Sequence, residues 1–152
     1  MDRHEVYDRI KAVIDARQRR DYPRAAALIA SDATYAVAAK DGSLPGFPDK
    51  DDDVMTAFDK LVKLIEYRKV DYLDSIVEGH RAMVLMRVAA EAHGVEHDLL
   101  LCGIWELDAD GQAISLTEYT DTAAMRDWLV SAAAATPPGP LPQEDIEIVA
   151  TP

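Results

Sequence analysis

The stretch LLLCGIWELDADGQAISLTEYTDT, Leu99 to Thr122, reads as two antiparallel strands around a turn at Asp108-Ala-Asp-Gly111. In its first half, Leu99, Leu101, Gly103 and Trp105 share one face and Leu100, Cys102 and Ile104 the other. Both faces are apolar, so this strand is expected to be central and covered on both sides. In the second half, Ile114, Leu116, Glu118 and Thr120 share a face opposite Ser115, Thr117, Tyr119 and Asp121. If the Ile114/Leu116 face is buried, Glu118 points inward.

Outward from this pair, Ala82 to Ala92 and Arg68 to Val77 read as two more strands, the latter alternating through Val70, Tyr72, Asp74 and Ile76. Turns are expected at Glu78-Gly79-His80 and across 93–97. Upstream, Val6, Ile10, Val13 and Ile14 recur at helical spacing between His4 and about Arg19. A short helix with Pro23 in its first turn runs to Ala30, and Asp32 to Val37 reads as a short strand. A Gly-, Pro- and Asp-rich loop leads to a helix over 54–66, capped by Asp51 to Asp53, with Phe58, Leu61 and Val62 in its buried stripe. The predicted fold is α+β: N-terminal helices packed on one face of a curved, mixed or antiparallel sheet. The simplest cover for the other face is a second copy, so a homodimer through the outer sheet face is expected. A short helix through Met125, Trp128 and Leu129 closes the domain, which is placed at 1–132. Residues 133–152 are read as a Pro/Ala-rich tail, an extended arm with Ile146, Ile148 and Val149 able to dock.

A length of 152 residues fits one domain with a real core. The net charge of −12 argues against nucleic-acid binding, which needs clustered cations. The one basic cluster, Arg17, Arg19 and Arg20, falls at a helix end, where cations favour the dipole. The lone Cys102 in an apolar run reads as a core residue of a reducing compartment. No apolar signal segment opens the chain and no run approaches the ~20 apolar residues of a membrane span, so no membrane partner and a cytoplasmic location are expected.

The order of elements, SDATYAV after the second helix, and GIWELDADGQAISLTEYTDT with its following helix resemble the nuclear transport factor two-like superfamily, across roughly residues 5 to 130. Within it the chain is similar to SnoaL-like cyclases, ketosteroid isomerases and limonene epoxide hydrolases. The resemblance implies a cone: a strongly bent sheet around helices, an apolar pocket between them, and frequent dimerisation through the outer sheet face. The ketosteroid isomerase positions hold Val13, Val37 and Gly103 here, in place of a tyrosine and two aspartates. Of the epoxide hydrolase positions, Tyr35 and Glu118 match the first-strand tyrosine and last-strand carboxylate. Val37 replaces the asparagine, and the arginine and aspartate positions fall among Val84, Met86 and Val88.

Glu118 and Tyr35 are therefore the candidate catalytic residues. A carboxylate turned into apolar surroundings has a raised pKa and suits acid/base work, and a nearby phenol can polarise a substrate oxygen or hold the carboxylate. The bland alternatives are a pair between Glu118 and Arg81 or Arg87, and a Tyr35 that only packs. Phe58, Met86, Val88, Leu101, Trp105 and Leu116 are the expected ligand-binding wall, or else simply core. His93 and His97 bracket a turn and read as exposed, and Asp-Lys-Asp-Asp-Asp at 49–53 reads as helix capping because the glycine and glutamate of a calcium loop are Val54 and Lys60. No phosphate loop, G-x-S-x-G or paired-cysteine motif is present, so no metal or nucleotide cofactor is expected. The functional expectation is a cofactor-free enzyme doing isomerisation, cyclisation, dehydration or hydrolysis on a small apolar oxygenated molecule. The alternatives are a non-catalytic binding protein and a dimeric structural module of the same fold with its cavity filled by Trp105 and Met86.

Overall fold

The computed structural model describes residues 1–135. Helices α1 (Arg3–Arg19) and α2 (Tyr22–Leu28) lead into strand β1 (Ile29–Val37), and helix α3 (Val54–Leu64) precedes four strands, β2 (Glu66–Glu78), β3 (Arg81–Ala92), β4 (Val95–Leu107) and β5 (Ala113–Tyr119). Helix α4 (Thr122–Ala135) follows. It takes in Ala133, Ala134 and Ala135, which were read as the start of the tail, because alanine is the best helix former. The remainder of the tail, with its expected docking through Ile146, Ile148 and Val149, lies outside the described residues. No helix among those described is long and apolar enough to cross a membrane.

Local chemistry sets the helix starts. Asp2 and Glu5 form a reciprocal capping box on α1, Asp21 caps α2 ahead of Pro23, and Asp53 accepts from Thr56 N at the start of α3. Two other acids of the 49–53 run hold a lysine: Lys60 Nζ lies 2.7 Å from Asp52 Oδ2 and 3.7 Å from Asp49 Oδ2.

The five strands lie in the order β1-β5-β4-β3-β2. The pairs β2–β3, β3–β4 and β4–β5 are antiparallel, as the alternation predicts, but β1 joins β5 in parallel, making the sheet mixed. The β3–β4 turn is tighter than expected, His93 and Gly94 both at positive φ, as a two-residue hairpin loop requires. That moves His97 into β4, where its ring stacks on Trp128 at 4.9 Å.

On the inner face, Leu99, Leu101, Trp105 and Leu107 of β4 and Val84, Met86 and Val88 of β3 pack into one core with Val6, Ile10 and Val13 of α1. Strand β2 departs from simple alternation. Register breaks between Tyr67 and Lys69 and between Tyr72 and Asp74 turn Tyr67 inward, where it is buried, and Ile76 outward, where it is 59% exposed. The outer face is left open: Leu100 is 50% and Tyr119 46% exposed, with Met83, Leu85, Cys102 and Ile104 half-buried between them.

Candidate active site

The inward turn of Glu118 is borne out: the residue is 7% exposed and is the one carboxyl among the buried residues described. It is held on β5 opposite Gly103 of β4 and Val37 of β1. It borders a cleft between α1, α3 and the sheet, enclosing about 680 Å3 with the open solvent at its mouth included. Phe58, Met86, Trp105 and Leu116 all line that cleft, so Trp105 and Met86 wall it instead of filling it. A smaller recess continues past Glu118 toward Val37, Phe47, Leu101 and Met125. Val88 is the exception among the expected wall residues. It is fully buried in the main core, between Val70 and Leu99 on the neighbouring strands, and borders neither space.

Tyr35 reaches the same place from β1. Its backbone pairs with Leu116, two residues before Glu118 on the neighbouring strand, so both side chains leave the sheet on the cleft side. Part of the residue stays in solvent, but its hydroxyl is desolvated and lies beside the Glu118 carboxylate, close enough for each to act on the other's proton affinity. Burial, then the neighbouring carboxylate, push the phenol well above its ordinary value. Burial raises the Glu118 carboxyl above its ordinary 4.5, opposed by the positive charge of Arg17 and by the Tyr35 hydroxyl beside it.

The cation beside Glu118 is neither Arg81 nor Arg87, both of which are exposed on the sheet, but Arg17 from α1. The basic cluster read as a helix-end feature is split by the fold. Arg19 pairs with Asp15 at 3.0 Å and Arg20 approaches Glu66 at 4.0 Å, whereas Arg17 turns into the cleft. Its Nη2 donates long hydrogen bonds, 3.5 Å each, to the carbonyl oxygens of Leu61 and Ile65 at the end of α3. Its guanidinium carbon sits 4.0 Å from the centre of the Tyr67 ring, a cation–π contact. Tyr67 is buried, and desolvation moves its phenol strongly upward. Arg17 and Tyr67 were missed in the sequence, although one signal for Arg17 was present: Val6, Ile10, Val13 and Arg17 follow the helical spacing of the buried stripe.

The site is thus a mostly apolar cleft with one polar end: a buried carboxyl, a phenol beside it, and a guanidinium over a second phenol. Such a set can shuttle a proton and stabilise negative charge on an oxygen placed between its members. Among the described residues no cluster of His, Cys, Asp or Glu has the grouping of a metal site.

Comparison with known proteins agrees with this architecture. A LEH-like epoxide hydrolase from M. tuberculosis is 17% identical and superposes with a TM-score of 0.61, covering 87% of this chain and 94% of that one. An NTF2-like protein of unknown function from Burkholderia pseudomallei is 26% identical, with a TM-score of 0.63 over 80% and 94% of the two chains. TerC, crystallised with polyporic acid, is 15% identical, with a TM-score of 0.67 over 83% and 98%. No curated protein matches the chain. The family model of the SnoaL-like domain matches residues 10–116, from the middle of α1 to the residue that pairs with Tyr35, and the chain therefore belongs to the SnoaL-like domain family.

Proposed function

We propose that the protein is a cofactor-free enzyme that carries out acid/base chemistry on a small, apolar, oxygenated molecule: an isomerisation, cyclisation, dehydration or hydrolysis. The observation that carries this reading is Glu118, buried at the polar end of an apolar cleft with the Tyr35 hydroxyl on its carboxylate. Burial brings its proton affinity toward neutrality, where a group both takes and returns protons efficiently. The carboxyl moves the proton, and Tyr35 donates to the substrate oxygen on which charge builds. The likeness to an epoxide hydrolase and to a protein crystallised with polyporic acid supports a small-molecule ligand.

The test is native mass spectrometry of the purified chain under mild and denaturing conditions, followed by turnover assays on any co-purified molecule class with Glu118→Gln. Loss of turnover in a folded variant supports the reading, and unchanged turnover removes it.

The same reading has two copies pair through the outer sheet face. What favours this is the exposure there of Ile76, Leu100 and Tyr119 beside the half-buried Leu85, Cys102 and Ile104.

A further inference from the structure

We infer that the ligand carries an anionic oxygen, a carboxylate on an apolar body, and that Arg17 Nε receives it. The inference rests on the reading of the cleft as a ligand site and names the ligand's chemistry. Its starting point is Arg17 Nε, a buried polar atom with no hydrogen-bond partner. Buried donors are almost always satisfied, so an exception in a cleft marks a place where something else accepts. The rest of the guanidinium is already placed, its Nη2 on the Leu61 and Ile65 carbonyls and its plane over Tyr67. The side chain is therefore held with the Nε–H still without an acceptor.

The charge points the same way. Each carbonyl that Arg17 contacts is neutral, and Glu118, the carboxyl that acts on it, does so without a direct ion pair. A partly buried guanidinium whose Nε is fully enclosed is stabilised when its charge is met. A ligand carbonyl would satisfy the hydrogen bond and leave the charge, whereas a carboxylate oxygen satisfies both in one charge-assisted hydrogen bond. The remainder of the wall, including Val13, Ile14, Phe58, Met86 and Leu116, offers apolar contact to the body behind that head group.

The experiment is calorimetric titration of the full chain with three probes sharing one body: phenylacetate, 2-phenylacetamide and methyl phenylacetate. Wild type is expected to bind the acid about ten- to a hundredfold more tightly than the amide or ester. Arg17→Gln, checked for folding by circular dichroism, is expected to abolish that preference, and Arg17→Lys to keep part of it. Glu118→Gln keeps or strengthens acid binding, because it removes a like charge. Should Arg17→Gln fail to fold, the wild-type ratio of acid to amide still decides. Equal binding of the three probes overturns the anionic head group and leaves the cleft reading standing, with Arg17 a structural latch between α1 and α3. Binding of none of them overturns both.

Discussion

The Tyr35 hydroxyl and the Glu118 carboxylate meet across a parallel strand pair, Tyr35 standing beside Leu116 and Glu118 beside Val37. Two strands distant in sequence therefore put a donor and an acceptor into one desolvated spot, and the predictions about acid/base behaviour start there.

Glu118→Gln keeps the shape and a carbonyl oxygen near Tyr35 but removes the ionisation. Because the folded state holds this carboxyl above its ordinary 4.5, the folded state binds the proton more tightly than the unfolded state does. Its stabilising contribution is full below 4.5 and is lost as pH rises through the folded-state value. Relative to Glu118→Gln, the wild type therefore loses stability as pH climbs from 4.5, levelling off once the buried carboxyl has ionised. The variant should gain on the order of 1 kcal/mol at neutral pH while losing about 10²- to 10⁴-fold in turnover. Paired denaturant titrations across that pH range check the first part. An unfolded variant would place the carboxylate in a structural pair.

Tyr35→Phe removes the neighbouring hydroxyl, which favours the ionised carboxylate. The folded-state value of Glu118 then moves further up, and the acidic limb of the pH–rate profile moves up with it. A profile that stays in place, or moves down, means that the phenol does not act on the carboxyl.

Gly103→Ala tests the room above Glu118. A Cβ at residue 103 would lie 2.8 Å from Trp105 Nε1 and 3.1 Å from Leu116 Cδ1, both on the cleft wall. Both side chains are packed, so the variant should lose about 1–3 kcal/mol, read as a lower denaturant midpoint at unchanged slope. An unchanged midpoint would show that the wall gives way freely.

Cys102→Arg puts a charge in the middle of the half-buried outer band, opposite Leu85 and Tyr119. Light scattering should show a dimer for the wild type and a monomer or aggregate for the variant. An unchanged particle mass would exclude this face as the interface.

Much of the sheet was legible because β3 and β4 alternate cleanly and the turns carry Gly, Asp and His where tight loops need them. The inward Glu118 followed from the same period. Strand β2 was harder: two bulges reset its alternation, so Tyr67 and Ile76 face opposite to the simple reading, and no residue pattern marks a bulge on its own. The parallel seating of β1 on β5 was hidden because that pairing spans most of the chain. Val88 was misplaced because period-two reasoning gives the face but not the position along it: inner residues at one end of β3 meet α1 and α4, while Met86 meets the cleft. Arg17 was obscured by its neighbours, since three arginines in four residues look like a solvated end. Only the phase of the helix separates the one that turns in.

Glu118 belongs to the sheet and Arg17 to the helical layer, with Val13 and Leu61 among the apolar groups between those layers. The separation of acid and cation is therefore a spacing, set by how thick that filling is. Trimming or adding a methylene at either residue would move the layers and retune the proton affinity of Glu118 while leaving every polar group intact. In such a design, catalytic character is inherited through packing residues, and two relatives with the same acid can differ in working pH because of a leucine.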